Sequence, residues 1–246
     1  MKKFKLTTKS ITNEVGKKLF RIKALIDFGD VKAGELGGYV EKEGNVSQDD
    51  NAWVSGDAEV FGNAKVSGNA KVFGNAKVFG DALVFGRALV FGDAKVSDNA
   101  WVFGNARVSG DALISGNAWV SGNARVYDNA RVYDNAKVSG RAWVFGNARV
   151  SGDALISGNA KVSGDARVYD NADYALVQGF GIKFRCTTFY RGKNEKIMVN
   201  CGCFHGDLEE FRKQVKETRS GKIAKEYLMI ADLMEYHFVS EDSGDE

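Results

Sequence analysis

From Ala52 onward, apolar and polar positions follow a beat of six. Ala recurs at every sixth residue from Ala52 to Ala172, and Val or Ile stands two residues later from Val54 to Val168. The unit is Gly-Asn/Asp-Ala-x-Val-x, as in "GNAKVSGNAKVFGNAKVFGDALVFG" at 62–86. A helix of 3.6 residues per turn would scatter these positions around its surface and lose about 1 kcal/mol at each Gly. An extended segment of period two sends Ala and Val to one side and their neighbours to the other. Gly-Asn and Gly-Asp then turn the corner, because these residues accept positive φ. Three such edges predict a triangular coil of 18 residues. The phase extends backwards, with Gly38 and Gly44 in the Gly column and Val40 and Val46 in the Ala column. The repeat is therefore expected over 38–176, between seven and eight coils and roughly 35 Å of rod at about 4.8 Å per coil.

The flanks lose this beat. "KFKLTTKSI" and "KKLFRIKAL" read as a hairpin that covers the first coil, an N-terminal β cap over 1–37. A rod needs such a cap because an open sheet edge invites polymerisation. Further on, "GIKFRCTTFYRGKNEKIMVNCGCF" reads as two strands around a Gly-Lys-Asn turn. Asp207 and Glu210 form a capping-box start, followed by Leu208, Phe211 and Val215 on one helical face. After Ser220-Gly221, Ile223, Tyr227, Ile230, Met234 and Phe238 share a face of a second helix. The expectation is a small ββαα domain over 177–238, then a disordered acidic tail over 239–246.

The hexads resemble those of the hexapeptide-repeat proteins. That resemblance implies a left-handed parallel β-helix; the handedness comes from the likeness alone. "RIKALIDFGDVKAGELGGYVEKEGNVSQDDNAWV" (21–54) resembles the opening of bacterial and phage-encoded hexapeptide proteins often labelled putative transferases. The C-terminal segment is similar to a domain on other phage proteins, which together implies a phage or prophage origin. The expected fold class is mainly β: a left-handed parallel β-helix with an N-terminal β cap and a small C-terminal α+β domain.

Composition narrows the function classes. A formal net charge of +2 does not single out a nucleic-acid or membrane partner. The chain has 29 Gly and no Pro, where average usage would give roughly 12 Pro, so Gly, Asn and Asp must make its turns. The start lacks the apolar run of a signal peptide, and no stretch is long enough to span a bilayer. Three Cys, all beyond residue 185, fit a reducing cytoplasm better than a disulfide framework.

The resemblance raises acyl transfer from acetyl-CoA, with a His base and a loop inserted between coils. Here no hexad is interrupted between 50 and 172, and His205 and His237 both lie in the terminal domain. Asp98, Asp128, Asp134 and Asp170 replace Gly in the corner column and read as turn residues bonding their own backbone. Cys201, Cys203 and His205 alternate as on one strand face, and Cys186 on a neighbouring strand would complete a Cys3His zinc set. The spacing is tighter than usual for structural zinc. No metal, cofactor or catalytic residue is assigned.

The outer faces carry the remaining candidates. One stacks Lys65, Leu83, Trp101, Trp119, Lys137 and Leu155, with Phe85 and Phe103 alongside. Leu83, Phe85, Trp101, Phe103, Trp119 and Leu155 are the candidate partner-binding residues, unless the terminal domain or a second copy covers them. A second face interleaves Lys77, Lys95, Arg131, Arg149 and Arg167 with Phe61, Phe79, Tyr133 and Tyr169. Its nucleic-acid reading is weakened by Asp57, Asp93, Asp111 and Asp165 on the adjacent corner. The third face begins at Trp53 and brings Arg107, Arg125, Tyr127 and Trp143 together, a candidate site for an anionic or aromatic ligand. Ice binding is set aside, because Phe and Tyr share the Ser rank. The sequence reads as a non-enzymatic recognition solenoid; the resemblance to phage-borne proteins implies a host protein, such as a defence component, as the partner it binds and could inhibit. The alternatives are an acetyl-CoA-dependent transferase and a purely structural homo-oligomer.

Overall fold

The computed structural model describes residues 2–181 and 184–238; the acidic segment 239–246 lies outside them. The first elements are β1 (Phe4–Thr12), β2 (Lys18–Ala24) and β3 (Leu36–Val40), then the two-residue strands β4 to β23, from Trp53–Val54 to Arg167–Val168. These short strands form three parallel sheets, each pairing residue i with residue i+18, as Lys71 with Leu89 and Leu89 with Arg107. The chain is a parallel β-solenoid with 18-residue coils.

The interior follows from the beat of six. Every Ala and Val or Ile of the repeat from Ala52 to Val168 is at most 1 % exposed, and all pack into one continuous cluster. A column of small Ala thus stands beside a column of branched Val or Ile, both closed off from water. Each coil hydrogen-bonds to the next through its main chain: Trp101 N–H donates to the Ala118 carbonyl and Phe103 N–H to the Val120 carbonyl, both at 2.9 Å.

The corners are tighter than the strands. Gly80 has φ +71°, and a Cβ there would stand 2.8 Å from the Asp98 amide nitrogen of the next coil. Asp98, Asp128 and Asp134 take the same left-handed conformation, at φ 56°, 58° and 57°. Their carboxylates bond the next coil rather than their own backbone, accepting from the N–H of Gly116, Gly146 and Gly152 at 3.0–3.2 Å. Asp170 differs: its φ is −145° and its carboxylate accepts from Ala172 N–H, opening the short 3-10 turn Asn171–Asp173. It ends the repeat instead of continuing it.

The phase at the start is also corrected. Val40 pairs with Val60 and Val46 bridges to Val66, an offset of 20 residues rather than 18. Val40 and Val46 therefore occupy the Val column. Gly38 lies under Ala58, where a Cβ would meet the Ala58 carbonyl oxygen at 2.6 Å, so it belongs to the Ala column and not the Gly column. The two extra residues fall between Val46 and Val54. This widened corner places Gln48, whose side-chain oxygen accepts from the N–H groups of Lys3 and Phe4, and Asp50, whose carbonyl accepts from Lys3 Nζ.

Both ends of the rod are closed. The β1–β2 hairpin is antiparallel, and β2 pairs antiparallel to β3, extending one solenoid sheet past the first coil. Lys3 is buried with its ammonium donating to the carbonyls of Asp50 and Ala52 at 2.8 Å. At the far end stand β24 (Tyr174–Phe180), β25 (Arg185–Arg191), β26 (Ile197–Cys201), β27 (Phe204–Asp207), α1 (Leu208–Thr218) and α2 (Gly221–Phe238). Their sheet is antiparallel with four strands, where two were expected from the sequence. β24 crosses residues 176 and 177, where the sequence was divided into rod and domain. Tyr190 is fully buried in the solenoid core cluster, and Asn200 Nδ2 donates to the Lys161 carbonyl, Ser163 Oγ and Tyr190 oxygen. The domain thus seats on the last coil. The helices form as expected: Asp207 and Glu210 make the reciprocal capping box, and Tyr227, Ile230, Met234 and Phe238 are buried.

The corners give an ordered prediction for urea unfolding. Gly80→Ala forces a Cβ into the left-handed region and against the next coil, and is expected to cost about 1–3 kcal/mol. Asp98→Ala keeps that conformation but loses its inter-coil bond, whereas Asp98→Gly relieves the conformation. The expected order of stability is wild type above Asp98→Gly above Asp98→Ala.

Candidate functional site

The in-register stack turns each outward column into a ladder of side chains at about the coil spacing. Leu83, Trp101, Trp119 and Lys137 lie on consecutive paired strands. The Trp101 and Trp119 rings stack at 5.2 Å with 7° between planes, and Phe85 stacks on Phe103 at 5.0 Å and 2°. The two ladders meet edge to face, Phe85 with Trp101 and Phe103 with Trp119, both at 6.2 Å. The result is a flat herringbone platform. Lys137 Nζ lies 4.9 Å over the Trp119 ring and closes one end. Leu155 lies one strand beyond Lys137, so it is separated from the platform.

Neither cap covers this platform. The C-terminal domain touches the final coils: the Tyr174 hydroxyl donates to the Leu155 carbonyl, and Thr188 Oγ1 accepts from Lys161 N–H. Trp119 remains 37 % exposed.

On the third face, Trp143 is held between two cations, with the Arg125 guanidinium 5.1 Å and Lys161 Nζ 4.9 Å from its ring centre. Tyr127 meets Trp143 edge to face at 6.3 Å and stacks on Phe145 at 5.0 Å. Burial raises the Tyr127 phenol above its ordinary value, with Asp128 adding to the shift. Arg107 pairs in register with Arg125. Trp53, which begins this face, is not on display: it is buried beneath Phe4 and Phe28 of the N-terminal segment.

The basic face is partly occupied by the N-terminal hairpin. Lys77 Nζ is 3.1 Å from Glu14 and 3.8 Å from Glu59. Phe61 and Phe79 stack at 5.1 Å and pack with Leu19 and Tyr39.

The Cys and His residues are not arranged as the alternation implied. Gly202, at φ +65°, sits in a tight turn, and Cys201 pairs with Phe204 across it. Cys203 is therefore in the turn, and His205 is on β27 opposite Asn200, packed near Gly164 of the last full coil. Among the described residues, no three His, Cys, Asp or Glu side chains gather closely enough to hold a metal ion. Cys201 instead receives a hydrogen bond from Thr187 Oγ1 at 3.1 Å.

One site had no repeat to announce it. A cavity of about 300 Å³ in the C-terminal domain is lined by Arg185, Cys201, Phe204, Phe211, Arg219 and Tyr227, among others. These residues come from three strands, both helices and the residue after α1, and only the two helical faces that hold Phe211 and Tyr227 are legible in the sequence.

A family described as YdcK Beta solenoid repeat matches residues 106–122, 118–133 and 124–140. The match lies wholly inside the coils and agrees with the observed repeat. No curated protein matches the chain.

Cysteine reactivity checks this arrangement. Cys203 is exposed, whereas burial pushes the half-buried Cys186 thiol up, against a lowering hydrogen bond from Thr188. With iodoacetamide near neutral pH, peptide mass spectrometry should find Cys203 labelled first and Cys186 later, because the thiolate is the reactive form.

Proposed function

We propose that this chain is a non-enzymatic recognition scaffold whose Trp101/Trp119 platform docks a partner protein. The observation that carries the reading is the platform itself: two stacked aromatic pairs in edge-to-face contact, left open by both caps. A stacked pair with Trp119 exposed and Trp101 half-buried on a rigid sheet loses little side-chain entropy on binding, and Trp is enriched among residues that dominate interface energy, often at about 2 kcal/mol or more each. The corner carboxylates of Asp98, Asp128 and Asp134 hold the next coil, which fits a structural role for them. A phage origin, with a host protein as the target, extends this reading through the resemblance of the flanking segments.

The test combines sedimentation with affinity capture from the lysate of the source organism, using wild type and the Trp101→Ser/Trp119→Ser variant. The expected outcome is a single protomer that retains one stoichiometric protein, with retention lost in the variant at unchanged coil content by circular dichroism. A wild-type dimer that the variant dissociates would replace this reading with self-association. Turnover of acetyl-CoA would replace it with the transferase reading.

A further inference from the structure

The cavity of the C-terminal domain has the composition of a ligand site. Phe204 and Tyr227 each pack against Phe211, at ring-centre distances of 5.5 and 5.9 Å, and give the cavity an aromatic wall. Two guanidinium groups stand at it. Arg185, at the start of β25, lies across the β26–β27 turn, where a Cβ at Gly202 would collide with its Nη1. Arg219 follows the last turn of α1 and uses Nη1 to donate to the Thr218 carbonyl at 2.9 Å.

The charge balance of these arginines is unlike that of their neighbour. Arg212, on the same helix as the cavity wall, is matched by Glu209, Asp232 and Glu235 at 2.6–2.9 Å. Among the described residues, Arg185 and Arg219 form no ion pair. Each guanidinium carries five N–H donors in a planar fork suited to carboxylate or phosphate oxygens. The Tyr227 hydroxyl donates to the Phe180 carbonyl over a long 3.5 Å and also meets the Cys201 thiol. Burial and the Cys201 thiol raise its phenol, against the opposing pull of Arg219 and Arg185, and the residue lines the same cavity.

We propose that this cavity binds a small aromatic anion, a carboxylate or a phosphate monoester, with its charged group between Arg185 and Arg219 and its ring against Phe204, Phe211 and Tyr227. The volume is at the small end of ligand pockets, which fits one ring with one charged group. This site belongs to the terminal domain and is independent of the Trp platform.

Isothermal titration of the full chain with benzoate, phenyl phosphate and neutral benzyl alcohol tests the proposal. One or both anions should bind saturably and benzyl alcohol at least about tenfold more weakly, since each hydrogen bond to a charged group carries roughly that factor. The tighter of the two anions identifies the head group. Arg185→Gln/Arg219→Gln should weaken the anion by a similar factor or more. Arg219→Gln alone, at an exposed helix end, gives the same reading if the double variant loses its circular dichroism. Bound anion should slow iodoacetamide labelling of Cys201, which lines the cavity, relative to Cys186. The proposal is overturned by equal affinity for benzyl alcohol, by affinity unchanged in folded variants, by no saturable anion binding, or by a bound anion that leaves Cys201 labelling unchanged.

Discussion

Stacking of each 18-residue coil on the next through main-chain hydrogen bonds is the constraint on which the rest of this molecule depends. Once Trp101 N–H is bonded to the Ala118 carbonyl, the next coil can neither slip nor tilt far without breaking a row of such bonds. A slip by one residue would exchange the Val column for the solvent-facing column. Every other regularity follows from this lock. Gly in the corner is required because the backbone of the next coil lies about 3 Å from where a Cβ would be, as between Gly104 and Gly122. Within the coils, Asp98, Asp128 and Asp134 enter that column with a carboxylate that adds a bond to the coil ahead.

The same lock decorates the surface. Asn99, Asn117, Asn135 and Asp153 form one continuous hydrogen-bonded ladder along a corner, each amide donating to the side chain 18 residues on. Phe on Phe and Trp on Trp arise in the same way, from like residues held at one coil spacing. The cost is that like charges also stack, as Arg131, Arg149 and Arg167 do. Acidic residues on the neighbouring corner offset part of that repulsion.

A stacked rod has two ends that the repeat cannot close, and the chain closes them by different means. At the start, a widened corner supplies Gln48 and Asp50 to hold the β1 strand and a buried ammonium. At the finish, Tyr190 enters the core cluster and Asn200 satisfies the last coil's carbonyl and hydroxyl. Each end departs from the repeat where an unpaired edge would otherwise meet water or another chain. The C-terminal departure also builds a cavity lined by its own strands and helices.

The sequence by itself determined the solenoid, its coil length, its Ala and Val interior and the side chains that share each outer face. Period is a local property, and with a fixed 18-residue register the neighbours of Trp101 follow by counting. Counting failed where the register changed. Two extra residues near Gln48 moved Val40, Val46 and Gly38 into other columns. Gly202 turned the chain between Cys201 and Cys203, so alternation no longer reported a shared face. Only the tertiary structure decided that the N-terminal cap buries Trp53 and Phe61, that the terminal domain sits on the end of the rod and leaves the Trp platform open, and that Arg185 and Arg219 line one cavity. These outcomes rest on contacts between segments far apart in the chain, where no periodicity connects one residue to the next.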